Sequence, residues 1–241
     1  MKNAVRLKII LVRPRNPDNI GAAARAMANF GLAELALVNA FDSDWREAEH
    51  IWRSEASVSA IGSMEIIDSA RLFGTIPEAA ADCQLLLGTS SLHRMNPERD
   101  VILLSKTAEY LAARGPLRAG ILFGAEKTGL TKEELSFCQA IINVPTLKNQ
   151  PSMNLGQAVA VVAYELAARG IAAGPSAGRA YAGAAPMEIE RMVRQICEKL
   201  KKETGPHWGG EAQAREIRRG LVDARLTKGA MNALKRLIAE K

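Results

Sequence analysis

The stretch Leu7–Val38 constrains the fold more than any other part of the chain. Leu7–Val12 is an apolar run rich in β-branched residues and reads as a strand. Arg13-Pro14-Arg15-Asn16-Pro17-Asp18 reads as a loop because of its prolines. Ile20, Ala23, Ala24 and Met27 then recur at i, i+3, i+4 and i+7, the buried face of a helix. Asn19 is the expected N-cap of that helix and Gly31 its left-handed stop. Leu35–Val38 is a second strand. A strand, a helix and a strand in so short a span make a βαβ unit, whose crossover leaves the two strands parallel.

The alternation continues downstream. Asp44–Ala60 reads as an amphipathic helix, Ile66–Ile67 as a weak strand, and Thr75-Ile76-Pro77-Glu78 as a capping box with proline in the first turn. Gln84–Leu87 is a strand closed by Gly88-Thr89-Ser90, and Ser105–Arg114 is a helix ended by Gly115. Ala119–Phe123 is a strand closed by Gly124, and Thr131-Lys132-Glu133-Glu134 is a second capping box. Ala140–Val144 is a strand closed by Pro145, and Leu155–Arg169 is an apolar helix ended by Gly170. The pattern predicts an α/β fold, a mostly parallel open sheet with helices on both faces. Ile171–Ala185, rich in Ala, Gly, Ser and Pro, reads as a linker. Met187–Glu203, Glu211–Ala224 and Thr227–Ala239 read as helices. The expected organisation is an α/β domain over 1–170, a linker over 171–185 and a basic helical extension over 186–241.

Charge follows that division. The net charge is +6, yet residues 186–241 alone hold 13 Lys/Arg against 8 Asp/Glu, whereas the rest of the chain is nearly balanced at 19 against 18. A basic appendage suits either a polyanion partner or an ordinary solvated helical surface. No apolar run approaches the ~20 residues of a membrane span. Met1–Arg6 has no apolar core or cleavage site, so no export signal is expected. Cys83, Cys138 and Cys197 are odd in number and far apart, which points to buried reduced thiols in a cytoplasmic protein rather than to a disulfide framework or a zinc site.

In open α/β sheets ligands bind beyond the carboxyl ends of the strands. Asn16–Arg25, Gly88–Ser91, Gly124–Gly129 and Val144–Asn154 occupy those ends. No G-x-G-x-x-G follows the first strand, and Gly124–Gly129 is followed by Leu130-Thr131 instead of the Lys-Ser/Thr of a P-loop. There is no G-x-S-x-G elbow, and His50, His93 and His207 have no metal or triad spacing, so they read as ordinary residues. What remains is a set of small residues with few ionisable groups, suited to holding a neutral or cationic ligand through main-chain hydrogen bonds.

These residues carry a resemblance. Asn16–Met27 is similar to the first motif of the SpoU-type (TrmH-like) RNA 2′-O-ribose methyltransferases of the SPOUT superfamily. Leu122-Phe123-Gly124-Ala125-Glu126 with Gly129-Leu130 resembles the second motif, and Pro151–Val159 the third, in the same order. Within the superfamily the chain most resembles the TrmJ group of tRNA (cytidine/uridine-2′-O-)-methyltransferases, in Gly88-Thr89-Ser90 with Arg94 and in the tail Arg219-Gly220-Leu221…Ala224-Arg225-Leu226-Thr227. Two positions depart from the family pattern: Ala125 stands where arginine is common, and Ser91-Leu92-His93 is atypical.

The resemblance implies a C-terminal trefoil knot, which general topology rules would not lead one to expect. It implies S-adenosylmethionine as methyl donor and no metal. Donor contacts then fall on Thr89, Ser90, Ser91, Gly124, Val144, Pro151, Ser152 and Met153. It also implies a homodimer with the active site at the subunit interface, and tRNA modified at the nucleotide opening the anticodon loop. Catalytic roles fall on Arg25, Asn19, Glu126, Ser152 and Asn154. Arg25 fixes the RNA phosphate and stabilises the emerging alkoxide across the interface; a guanidinium makes an awkward base because it hardly deprotonates. Asn19 caps its helix or orients Arg25 and the ribose. Glu126 accepts from loop amides or from the partner arginine. Ser152 and Asn154 cap the following helix or touch the donor, with Asn154 favoured as the cap. The expected RNA surface comprises Arg13, Arg15, Arg191, Arg194, Lys201, Lys202, Arg215, Arg218, Arg219 and Arg225. Two alternatives stay open: ribosomal RNA as substrate, and an RNA-binding module with a vestigial donor pocket.

Overall fold

The computed structural model describes residues 5–40, 45–93, 96–170, 183–205, 210–224 and 226–239. Arg94, His207, Arg225 and most of the expected linker lie outside the described residues. Among the described residues, β1 (Arg6–Val12), β2 (Glu34–Val38), β3 (Arg71–Phe73), β4 (Leu85–Thr89), β5 (Val101–Leu103), β6 (Arg118–Phe123) and β7 (Ala140–Asn143) form one sheet in the order β3-β2-β1-β6-β4-β7-β5. Every pairing in it is parallel. β1 lies near the centre, with Ile10 level with Ala36 on one side and Leu122 on the other.

Side-chain alternation along these strands creates two cores. Leu7, Ile9 and Leu11 of β1, with Leu85, Leu87, Ile121 and Phe123, face one side of the sheet. There they meet α1 (Pro17–Asn29), α2 (Trp45–Ser59), α3 (Met64–Ser69), α5 (Leu104–Arg114) and α7 (Leu155–Ala163). Ile10, Val12, Leu86, Leu122 and Ile141 face the other side, against α4 (Ile76–Ala79) and α6 (Lys132–Ser136). A third, smaller cluster holds Ile189, Met192, Val193, Val222 and Met231 of the extension helices α8 (Pro186–Thr204), α9 (Glu211–Asp223) and α10 (Lys228–Ala239).

Local chemistry explains the boundaries, with some departures from the sequence reading. Both capping boxes form: Thr75 with Glu78, and Thr131 with Glu134. Gly115 closes α5 in the left-handed conformation, at φ 59°. The cap of α1 is Asn16, not Asn19. The Asn16 side chain accepts from Asp18 N–H at 2.9 Å and Pro17 takes the first turn. Ile66 and Ile67 are helical instead of extended, both buried from the six-residue α3, and the strand lies just beyond them at Arg71–Phe73. The last sheet-covering helix is α-helical only to Ala163, and Tyr164–Gly170 continues it as a π-helical stretch.

Candidate active site at the strand carboxyl ends

Three loops meet beyond the carboxyl ends of β1, β6 and β7, and a chain of side chains ties them together. Glu126 follows β6. It accepts from the backbone N–H of Arg15 (3.2 Å), from that of Asn16 (3.2 Å) and from Asn19 Nδ2 (2.9 Å). Asn19 Oδ1 accepts in turn from Asn154 Nδ2 at 2.8 Å, and Asn154 Oδ1 caps α7 by accepting from Gly156 N–H at 2.9 Å. Both amide orientations follow from the partners. A carboxylate only accepts, so Asn19 presents nitrogen to Glu126, and its oxygen is left for Asn154. The negative carboxylate also sits at the positive end of α1, where the helix dipole favours it. Asn19 is therefore the hub of the three loops, a role the capping assignment missed.

Packing brings the same segments close. An added Cβ at Gly156 would lie 2.7 Å from the Ala22 Cβ, so this glycine lets α7 cross α1 at short range. Gly124 serves its own turn: a Cβ there would collide with the backbone of Gly129 and Leu130. That turn is closed by Gly129 N–H donating to Ala125 O at 2.7 Å, and Ala125 is buried inside it.

Between these loops and the end of β4 opens a cleft of about 470 Å³, within the usual range for small-molecule sites. Thr89, Ser90, Ser91, Gly124, Val144, Pro151, Ser152 and Met153 all line it, and so does Glu126. Phe123, Ile142, Leu155 and Ala158 add an apolar wall, and Thr128, Thr146, Lys127 and His93 add polar groups. The sequence reading set His93 aside, yet it stands exposed on the lining. The loops are stitched by their own hydrogen bonds. Thr89 Oγ1 donates to Leu122 O at 2.9 Å, Asn143 Nδ2 donates to Ser90 O at 3.1 Å, and Thr146 Oγ1 donates to Pro151 O at 3.1 Å. Among the described residues no arginine lines the cleft.

Arg25 is exposed on α1 and does not line the cleft of its own chain. Arg13, expected on the RNA surface, is engaged internally. Its Nε and Nη2 donate to the two oxygens of Glu134 at 2.6 and 3.0 Å, and Nη2 also reaches Gly129 O at 3.1 Å. Arg218, expected there too, is 3% exposed and locked in ion pairs. Arg191, Arg194, Lys201, Lys202 and Arg219 remain exposed. Cys83, Cys138 and Cys197 are free and buried, and burial pushes the Cys83 and Cys138 thiols up to about 12. Among the described residues no group of three or more His, Cys, Asp or Glu is placed to hold a metal ion, and no helix is long and apolar enough to cross a membrane.

The geometry has relatives. The chain is 37% identical over 166 residues to the tRNA (cytidine/uridine/adenosine-2′-O-)-methyltransferase TrmJ of Pseudomonas aeruginosa (strain UCBPP-PA14), a match covering 67% of this chain and 60% of that protein's length. It is 34% identical over 165 residues to the tRNA (cytidine-2′-O-)-methyltransferase TrmJ of Methanocaldococcus jannaschii, covering 67% of each. Among solved structures, TrmJ from Z. mobilis ZM4 superposes with a TM-score of 0.81 at 30% identity, over 96% of this chain and 97% of that one. The model of the SpoU rRNA Methylase family matches residues 6–164, a span that holds the three tied loops and the whole cleft; the chain belongs to that family and groups with its TrmJ members.

Proposed function

We propose that this chain transfers a methyl group from S-adenosylmethionine to a ribose 2′-hydroxyl of tRNA, at the nucleotide that opens the anticodon loop, and that it works as a cytoplasmic homodimer. The observation that carries this reading is the convergence of the three motif loops on one cleft through Glu126, Asn19 and Asn154.

The residues present fit the donor. The apolar wall of Phe123, Ile142, Val144, Leu155 and Ala158 suits a flat heterocycle. The hydroxyl-bearing rim suits sugar and amino-acid groups. Thr89 spends its proton on Leu122 O, so its oxygen is left to accept. The described lining pairs one carboxylate, Glu126, with one lysine, Lys127, and has no arginine, so a cationic sulfonium meets no excess of fixed positive charge there. When bound, S-adenosylmethionine supplies an electrophilic methyl group.

The protein's own contribution is alignment and charge. In-line displacement needs the ribose oxygen held on one axis with the methyl carbon, and such positioning is worth several kcal/mol. The Glu126–Asn19–Asn154 tie fixes the three loops relative to one another and so fixes that axis. Arg25 holds the phosphate of the target nucleotide and stabilises the negative charge that develops on the 2′-oxygen as its proton passes to water and its bond to the methyl carbon forms. Since it stands outside its own chain's cleft, it acts from the second subunit. Exposed Val161 and Tyr164, the latter stacked edge-on against Phe30 at 5.6 Å, offer apolar surface to that subunit. The trefoil knot belongs to the same reading.

The family description names rRNA, which favours a second reading with ribosomal RNA as acceptor. Methyl-labelled donor incubated with bulk tRNA and, separately, with ribosomal RNA tells the two apart. The reading expects label in tRNA; label confined to ribosomal RNA selects the alternative. If neither RNA is labelled and calorimetry shows no donor binding, the chain is an RNA-binding module with a vestigial pocket.

A further inference from the structure

α6 is five residues long, too short to hold its shape or place by its own hydrogen bonds. It nevertheless touches two of the cleft's loops. It follows directly on the Gly124–Gly129 turn, and Leu135 packs into the space left by the missing side chain of Gly88, at the end of β4. Something outside the helix therefore fixes it, and it is gripped from two sides. On one side Arg13 clamps Glu134 and Gly129 O. On the other side stands Arg218, from α9 of the extension.

Arg218 is built in, not draped on the surface. Its Nη1 donates to Glu133 Oε1 at 2.5 Å and to Ser136 Oγ at 2.7 Å. Its Nε and Nη2 fork onto Glu190 of α8 at 2.8 and 3.3 Å. The guanidinium also lies 4.2 Å over the ring of Phe137, the residue that ends α6. Arg99, 8% exposed, adds a second strap, donating to Ser136 O at 2.9 Å and to Asp223 of α9 at 2.7 Å. One end of this construction is the extension and the other is the cleft.

We propose that Arg218 is a positioning residue for the methyl-donor cleft: by holding α6 it sets the Gly124–Gly129 turn and the end of β4 at donor-binding spacing. The inference rests on the donor reading given above. It assigns the extension a task besides any contact with RNA.

Calorimetric titration with S-adenosylmethionine tests it on the full chain, with tRNA filter binding measured alongside. Coupling through a packed element of this kind typically changes affinity roughly 2- to 30-fold. Arg218→Met should weaken donor binding by that order and raise the donor KM at nearly unchanged kcat. Its tRNA affinity should stay the same, since the side chain is buried. Arg218→Lys, which keeps charge but loses the fork, should recover part of the loss. Glu133→Gln removes the charge from one of the ties between Arg218 and α6 and leaves Arg218 bonded to Ser136 and paired with Glu190, so it should give the same donor effect, more weakly, in a folded protein. Unchanged donor binding in folded Arg218→Met, or in Glu133→Gln should Arg218→Met fail to fold, overturns the proposal. Lost tRNA affinity with donor affinity intact overturns it too and makes Arg218 an RNA contact. A wild-type chain that does not bind the donor brings down the underlying reading, and this inference with it.

Discussion

At the cleft, among the described residues, turn backbone, hydroxyls and apolar side chains line the opening with a single carboxylate, Glu126, and a single lysine, Lys127; Glu126 accepts from the N–H groups of Arg15, Asn16 and Asn19. At the seam on the far side of α6, the extension is fastened by the guanidinium groups of Arg99 and Arg218, whose side chains are 3% and 4% exposed and meet Asp223, Glu133 and Glu190. The two regions share one short helix and use opposite materials. The difference follows from what each must admit. On the proposed reading the cleft takes up a cationic ligand, which fixed guanidinium groups in the lining would repel. A permanent joint can bury them, because carboxylates meet their charges in place. Breaking either region should therefore leave a different signature.

The largest expected effect lies in Arg25→Ala. Losing a group that stabilises developing charge costs roughly 100- to 1,000-fold in turnover. Because Arg25 is exposed, the melting temperature should not move. Labelled methyl transfer and a thermal melt on the same sample check both halves, and a large drop in melting temperature would refute the assignment. Next comes Asn19→Ala, which cuts the link between Glu126 and Asn154. A tie that sets alignment should cost about 10- to 100-fold in kcat/KM, with a greater share in kcat than in donor affinity.

The seam should respond in stability. Asp223→Asn removes the charged partner of nearly buried Arg99 and should cost roughly 1–3 kcal/mol, discounted because Asp223 itself is about half exposed. Denaturant unfolding reads this, and turnover at low temperature should change far less than in Asn19→Ala. A smaller effect concerns acid. Burial tends to raise the Asp82 carboxyl, but the hydrogen bond and charge of Lys8, with those of Arg118, outweigh it and hold the group below its ordinary value. A lowered folded-state value means its stabilisation is present above the unfolded carboxylate range and is lost as pH falls through the folded value. Asp82→Asn should therefore flatten the acid limb of a stability–pH curve, and an unchanged limb would contradict the assignment. The smallest effect is on the thiols. Cys83 and Cys138, raised to about 12 by burial, should not react with a disulfide reagent near neutral pH until the protein unfolds.

The same contrast governs what the sequence made legible. The cleft was readable because its residues sit at strand ends, in order, punctuated by glycine and proline, and the local pattern carries the information. The hub role of Asn19 was not, because Asn16 competes for the same helix end and only the fold brings Glu126 and Asn154 to it. β3 and β5, three residues each at the sheet edges, are too short to show alternation. Adjacent Ile66 and Ile67 look extended but are buried from one helical turn. Arg218 read as an RNA contact because a basic residue in a basic tail reveals nothing of a carboxylate 85 positions upstream.

Alkaline hydrolysis of tRNA labelled by this chain separates methylation of the ribose from methylation of the base. Hydroxide cleaves RNA only where a free 2′-oxygen attacks the neighbouring phosphate, so a 2′-O-methyl group protects its own linkage. The label should appear in alkali-stable dinucleotides with wild-type protein and vanish with Arg25→Ala. Label released in mononucleotides, as base methylation would give, would contradict the proposed reading.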